Sequence, residues 1–164
     1  MAISKSLAAL FAVAFLAALL GAPQAPLAEA ARSEANSAAL KQIIDEAREN
    51  CRSVEGGIFS VGEGAIHDVD VSGDGEPDVI VDSAGFNCTT AASFWCGSGG
   101  CMLSVVIDGE GYGFLTQGWE IVDLYNYRVL LLAVHGMECG GSNVRKCVRA
   151  EVWSEGAFRS PGRE

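Results

Sequence analysis

The stretch Asp70-Val-Ser-Gly-Asp-Gly-Glu-Pro-Asp78, which runs directly into Val79-Ile80-Val81, decides the fold expected for the rest of the chain. It places oxygen-bearing side chains at relative positions 1, 3, 5 and 9, with Gly75 at the bend. Ca²⁺ takes about six to eight oxygen ligands, and a tight loop supplies them from alternate residues and a backbone carbonyl. Residues 66–71 and 77–82, which flank the loop, are predicted to be the two strands of a hairpin. The pattern therefore predicts a β-hairpin with a calcium site at its tip.

This loop is not an EF-hand, because position 12 counted from Asp70 is Val81 and the bidentate glutamate of that loop is absent. The pattern D-x-(N/D/S)-G-D-G-x-x-D, followed by three apolar residues, resembles the calcium loop of integrin-type FG-GAP repeats, here in a single copy. The resemblance implies four side-chain ligands and one backbone carbonyl, the last from Glu76: Asp70, Ser72, Asp74, Asp78 and Glu76. The alternative is an Asp- and Gly-rich turn that binds nothing, because these residues also favour turns for local reasons.

Residues 1–30 have the features of a secretory signal peptide. Lys5 supplies the positive start, residues 7–20 form an apolar run, and Ala28-Glu-Ala30 is a small-residue cleavage site. The apolar run is too short for a membrane span, so we expect no membrane association after cleavage. The predicted mature protein is one exported domain, residues 31–164, long enough to bury a core of its own.

The charge of the chain is acidic and unevenly spread. The formal net charge is −10, and residues 53–127 contain twelve Asp and Glu but no Lys or Arg. Nucleic-acid binding requires the opposite sign, so we expect no DNA or RNA partner. An acidic surface suits a cation or a basic protein, although solubility alone also favours acidic residues.

Six cysteines lie beyond the predicted signal peptide: Cys51, Cys88, Cys96, Cys101, Cys139 and Cys147. An even number of cysteines in a small exported domain predicts disulfides. Spacing favours Cys96 with Cys101 and Cys139 with Cys147 as local bridges, which leaves Cys51 with Cys88. Spacing alone keeps other pairings open. Zinc binding is the alternative, but the chain has no C-x-x-C pair.

The segment before the acidic loop predicts one amphipathic helix that packs on a sheet. Asn36 or Ser37 is expected to cap its start, and Gly56-Gly57 to end it. Five apolar positions recur at helical spacing: Leu40, Ile43, Ile44, Ala47 and Cys51.

Beyond the loop the chain predicts strands at residues 102–107, 112–117, 119–124, 127–135, 146–153 and 157–159. Asp108-Gly-Glu-Gly111 and Ser154-Glu-Gly156 predict hairpin turns. Residues 129–134 are apolar on both faces, as in a central covered strand, and residues 83–100 predict an irregular loop held by disulfides. The expected fold is mainly β (α+β): an antiparallel, curved or sandwiched sheet of about seven to nine strands, with one N-terminal helix and three disulfides.

In this arrangement the mature chain also resembles a group of small exported proteins of Gram-negative bacteria. Those proteins carry a cysteine after an N-terminal helix, then D-x-x-G-D-G-x-x-D, C-G-x-G-G-C, a late H-G-x-x-C and a terminal V-W-x-x-G-x-F-R. The four motifs begin here at Asp70, Cys96, His135 and Val152. The resemblance implies a fold and an exported location, and it implies no activity.

Candidate catalytic residues are few. Cys96-Gly-Ser-Gly-Gly100 is similar to the G-D-S-G-G of chymotrypsin-like proteases, but Cys96 replaces the first glycine and the chain is too short for their double barrel. The two histidines, His67 and His135, lie in no catalytic motif, and we expect each to make one structural hydrogen bond. The sequence therefore predicts no enzyme.

The leading interpretation is an exported, non-enzymatic β-protein with one structural calcium loop and Ca²⁺ as its cofactor. We expect a monomer that binds a protein or small-molecule ligand in the periplasm or outside the cell. One alternative is an acidic inhibitor of a cationic hydrolase such as lysozyme, a role that suits three disulfides and rigid loops. A further alternative is a small hydrolase that uses a histidine.

Overall fold

The computed structural model describes residues 25–142 and 145–160. Helix α1, Ala25–Ser53, comes first. Two 3-10 helices lie at Ser83–Gly85 and Gly136–Cys139. The described residues contain eleven strands: β1 Phe59–Val61, β2 Ile66–Val69, β3 Asp78–Asp82, β4 Phe86–Cys88, β5 Cys96–Gly97, β6 Gly100–Ile107, β7 Glu110–Thr116, β8 Trp119–Leu124, β9 Tyr127–Val134, β10 Cys147–Ser154 and β11 Ala157–Arg159. The predicted fold class, mainly β with one helix near the N-terminus, is confirmed.

The strands form three antiparallel sheets. A five-stranded sheet has the order β2-β3-β6-β5, with β7 also paired to β6. A four-stranded sheet has the order β11-β10-β9-β8, and β1 pairs with β4 in a two-stranded sheet. Both predicted hairpin turns are present, since Ile107 pairs with Glu110 and Ser154 pairs with Ala157.

The main core lies between the two larger sheets. Ile80, Leu103 and Val105 of the five-stranded sheet pack with Leu130 and Leu132 of the four-stranded sheet, and all five are 0–1% exposed. Complete burial of such side chains is worth about 1.5–3 kcal/mol each. The two sheets therefore form the sandwich that the alternating strands predict.

A second core lies between α1 and the opposite face of the five-stranded sheet. Ile43, Ile44 and Ala47 of the predicted apolar face pack in one cluster with Val79 and Val81 of β3. Because β3 meets the helix on one side and the other sheet on the opposite side, its residues Asp78 to Val81 are all buried. This position fixes the end of the acidic loop inside the protein.

The start of α1 differs from the prediction. The helix begins at Ala25, eleven residues before Asn36, because the intervening segment is rich in alanine, the best helix former. Asn36 does not cap the helix: it is 3% exposed, and its Oδ1 accepts a hydrogen bond of 2.7 Å from the Gly109 N–H. Residues 1–24 of the predicted signal peptide lie outside the described residues.

Two strand predictions also need correction. The strand covered on both faces is β3, whereas β9 is central in its sheet but leaves Leu131 and Ala133 only partly buried. Residues 83–100, expected to be irregular, contain the 3-10 helix Ser83–Gly85 and the short strands β4 and β5. Strands of two or three residues carry too little alternation to be recognised in the sequence.

All six cysteines form disulfides, in the pairs that spacing favoured: Cys51–Cys88, Cys96–Cys101 and Cys139–Cys147. Three disulfides indicate an oxidising environment, extracellular or periplasmic. Among the described residues, no helix is both long enough and apolar enough to cross a membrane.

Candidate functional site

The acidic loop between β2 and β3 folds around its own carboxylates. Asp70 accepts hydrogen bonds from the N–H groups of Gly73 at 2.6 Å and Gly75 at 3.1 Å. Asp74 accepts one from the Glu76 N–H at 2.9 Å. Gly73 and Gly75 have φ angles of +81° and +93°, which glycine adopts without strain. The tight turn that the sequence predicts at Gly75 is therefore present.

Asp78 ends the loop and anchors it in the core. As the first residue of β3 it is 0% exposed, and its Oδ2 accepts hydrogen bonds from the N–H groups of Val71 at 2.9 Å and Ser72 at 2.8 Å. Removal from water outweighs these two hydrogen bonds and raises the pKa of Asp78 above its ordinary value. Asp78 is thus a buried carboxylate with an incomplete set of partners.

A cation from elsewhere in the chain completes this set. The guanidinium of Arg32 on α1 pairs with Asp74 and lies 3.5 Å from Oδ1 of Asp78. Its Nε lies 2.6 Å from Oδ1 of Asp108, in the turn between β6 and β7. The Arg32 side chain is 17% exposed. The sequence interpretation missed both Arg32 and Asp108, because their separation along the chain gives no sign that they meet.

The charges around Arg32 shift two further pKa values. Burial alone would raise the pKa of Asp74, but the Glu76 N–H and the guanidinium outweigh it and hold that pKa below its ordinary value. Burial alone would lower the pKa of Arg32, but the hydrogen bond to Asp74 and the three carboxylates raise it. The loop therefore prefers a cation beside Asp74 at neutral pH.

A second arginine holds the other side of the loop. Arg128 of β9 donates from Nε to the carbonyl oxygen of Asp70 at 2.9 Å and from Nη1 to Oδ1 of Asp123 at 2.9 Å. Gly73 lies so close to Arg128 that an added Cβ would be 3.3 Å from its Cγ. The loop is therefore fixed to the four-stranded sheet as well as to α1.

The five predicted calcium ligands lie in one loop. The Ser72 hydroxyl donates a hydrogen bond of 3.5 Å to Oδ1 of Asp70. In the part of the chain that the structure describes, no group of three or more His, Cys, Asp or Glu is arranged to hold a metal ion. The carboxylates instead face the loop N–H groups and Arg32.

A cavity of about 410 Å³ opens beside this site, between α1 and the loop. Glu29, Arg32 and Asn36 line it from the helix, and Asp68 and Glu76 from the hairpin. Solvent in the cavity therefore reaches Arg32 and Glu76.

The other sequence candidates lie elsewhere. His67 has its Nε2 2.8 Å from the carbonyl oxygen of Gly64, and its ring packs edge-on against Trp119 at 5.0 Å between centroids. His135 precedes the second 3-10 helix and makes no side-chain cap there. The Cys96–Cys101 disulfide closes the glycine-rich turn. None of these residues is among those that hold the acidic loop.

Compared with protein-family models, curated proteins and solved structures, this chain matches none of them.

Proposed function

We propose that this protein is an exported, non-enzymatic binding protein whose acidic loop takes up Ca²⁺ as a structural ion. The observation that carries the proposal is an excess of negative charge around Arg32, beside the acidic loop. Three carboxylates, those of Asp74, Asp78 and Asp108, share the single positive charge of Arg32. When all three are ionised, these carboxylates and Arg32 together carry a net charge of −2, which a divalent cation would balance.

The ligands would come from the loop itself. Asp70, Asp74 and Asp78 would supply carboxylate oxygens, Ser72 its hydroxyl and Glu76 its backbone carbonyl, a donor set of the hard oxygens that Ca²⁺ prefers. Arg32 would have to leave Asp74 and Asp78, and its contact with Asp108 would keep the helix in place. Because the ion displaces an internal cation, we expect an affinity of the extracellular type, with a dissociation constant of about 10⁻⁴–10⁻³ M.

Thermal unfolding with and without Ca²⁺ tests the proposal. At a concentration about tenfold above the dissociation constant, Ca²⁺ should stabilise the protein by about 1.4 kcal/mol, a rise of several degrees in Tm. Mg²⁺ should do less, because it demands a tighter octahedron. Asp74→Ala should remove the response, while Glu120→Ala, which alters an exposed carboxylate on β8, should keep it.

The role of Arg32 gives a sharper test. Arg32→Met keeps most of the side-chain volume but removes the competing charge, so Ca²⁺ should bind about fivefold more tightly, as expected for ion pairs worth about 1 kcal/mol. Isothermal titration calorimetry measures the difference. If neither the natural protein nor Arg32→Met binds Ca²⁺, the loop is a turn neutralised by Arg32 and not a metal site.

The compartment and partner belong to the same proposal. Cleavage after Ala30 would release a monomer into the periplasm or the medium, with Arg32 as its second residue. Its acidic charge favours a protein or small-molecule ligand over nucleic acid. An N-terminal sequence and a mass measured on the exported protein test the cleavage site.

A further inference from the structure

The hairpin between β8 and β9 ends in an exposed apolar tip, residues 124–127. Leu124 pairs with Tyr127, and Tyr125 and Asn126 form a two-residue turn. Leu124 is 55% exposed, Tyr125 95% and Tyr127 63%. Three large apolar side chains at one turn remove little surface from water on folding, so the core does not explain their presence.

The backbone of this turn is unfavourable for its sequence. Tyr125 has a φ of +56°, a conformation that is rare for bulky residues and common for Gly, Asn and Asp. The other described non-glycine residues with positive φ are Glu55, Asp108 and Glu155, and a glycine follows each of them. The two-residue hairpin turn itself requires a positive φ at this position. Tyr125 meets that requirement without a neighbouring glycine, so the choice of a bulky residue here is the feature that binding would explain.

The tip lies beside the acidic loop. Arg128 is next to Tyr127 on β9, and it holds both the Asp70 carbonyl and the Asp123 carboxylate. Asp123 precedes Leu124 at the end of β8. The aromatic tip and the negative loop therefore form one continuous surface, which we call the tip surface: residues 70–76 and 123–127.

We propose that the tip surface binds a basic partner protein, with Tyr125 inserted into an apolar pocket and the carboxylates of Glu76 and Asp123, which are outside the proposed calcium ligands, facing lysines or arginines of that partner. The inference rests on the proposed binding function and names the partner's chemistry. Tyrosine is frequent among residues that dominate binding energy, because it buries a large rigid area and keeps a polar end.

The charge decides between classes of partner. Within the tip surface the four carboxylates of Asp70, Asp74, Glu76 and Asp123 outnumber the two adjoining guanidiniums of Arg32 and Arg128. Such a surface repels anionic lipid headgroups and nucleic acid, and it attracts a cationic protein over a distance of about one Debye length. The association rate should therefore fall steeply as salt is added.

A photo-reactive benzoylphenylalanine at position 125 of the full exported chain identifies what the tip touches. The matched control is the same residue at position 148, because Val148 is 64% exposed and pairs near the far end of β9, opposite Ala133. We expect one dominant protein adduct from position 125, of isoelectric point above about 9, absent from position 148 and lost in about 0.5 M salt. An adduct with a neutral or acidic protein, a lipid or a glycan overturns the proposal, and so does the absence of any adduct specific to position 125.

Variants of Tyr125 then separate binding from folding. Tyr125→Gly relieves the positive φ, so its Tm should rise by about 2 °C, yet its affinity for the purified adduct protein should fall at least about tenfold. Val148→Ala should bind as the natural protein does. If Tyr125→Gly binds undiminished, the tip is not the anchor. If the partner instead cross-links only from position 148, the binding function stands and this surface is wrong.

Discussion

The acidic loop, residues 70–78, and the cysteine-rich segment, residues 83–100, are two irregular stretches ordered in opposite ways. The segment is held covalently, by Cys51–Cys88 and Cys96–Cys101, and the ring of Phe86 packs against Trp95 at 5.5 Å. The loop has no covalent tie and depends on hydrogen bonds to Asp70 and Asp78 and on Arg32. In an oxidising compartment the stability of the disulfide-held segment should not depend on ions or pH, whereas the stability of the acidic loop should depend on both.

Close packing around the first disulfide shows how little freedom the segment has. An added Cβ at Gly57 would lie 2.7 Å from the Cys51 carbonyl oxygen and 2.7 Å from the Cys88 sulfur. Real Cβ atoms do not approach other atoms so closely, so only glycine fits here. The loop has room by comparison, since a Cβ at Gly75 would meet nothing within 4 Å.

The largest expected effect comes from removing the covalent tie. Cys51→Ala with Cys88→Ala opens a loop of 37 residues, which in the chain-entropy estimate costs about 4 kcal/mol of unfolding free energy. Cys96→Ala with Cys101→Ala opens one of 5 residues and should cost about 2 kcal/mol. Urea denaturation of both variants measures the difference. Equal losses would show that loop length does not decide how these bridges stabilise the protein.

An intermediate effect is expected at the buried end of the loop. Asp78→Ala leaves the N–H groups of Val71 and Ser72 without their acceptor and should cost about 3 kcal/mol. Asp68→Ala removes an exposed carboxylate on β2 and should change stability by less than about 0.5 kcal/mol. Denaturation curves in urea compare the two variants. A similar small loss in both would mean that the loop is not anchored through Asp78.

The smallest expected effect is the response of the loop to acid. The lowered pKa of Asp74 means that its stabilisation is present above the ordinary carboxyl pKa and is lost as pH falls through the lowered value. The raised pKa of Asp78 acts in the opposite direction, because its protonation on acidification favours the folded state. Below about pH 4 the two contributions partly cancel.

Variants resolve these opposing contributions. Asp74→Asn should lose less unfolding free energy than the natural protein between pH 5 and lower pH, and Asp78→Asn should lose more. Because the Asp74 side chain is 44% exposed, its difference should stay below about 1 kcal/mol after solvent screening. Urea denaturation at a series of pH values gives the slopes. Parallel slopes for all three proteins would count against both pKa shifts.

The disulfide pairs and the bounds of several strands are predictable from the sequence. The pairs Cys96–Cys101 and Cys139–Cys147 are close along the chain, so spacing alone indicates them, and Cys51–Cys88 follows by elimination. Strand β8 matches its predicted bounds residue for residue, and so does the short β11, which the turn signal at Ser154-Glu-Gly156 marks. These features depend on residues that are close together along the chain, so the sequence pattern predicts them.

The non-covalent contacts that hold the acidic loop are less predictable, because they depend on how the helix and the sheets pack together. Arg32 and Asp74 lie 42 residues apart, and only the packing of α1 on the sheet brings them together. An apolar run shows that a strand can be covered, but not which sheet receives the helix, so the sequence favours β9 where the structure covers β3. Tyr125-Asn126 lacks the glycine that marks most two-residue turns. The sequence therefore does not predict a turn with an exposed tip at these residues.

The two ends of helix α1 are attached to the rest of the protein in different ways, one by a disulfide and the other by ion pairs. Cys51 is bonded to Cys88 at its last turn, while the part before Asn36 is held by the ion pairs of Arg32. Local unfolding of the helix should therefore start near Arg32 and proceed toward Cys51. Backbone amides before Asn36 should exchange with deuterium sooner than those near Cys51, and added salt should quicken only the first group.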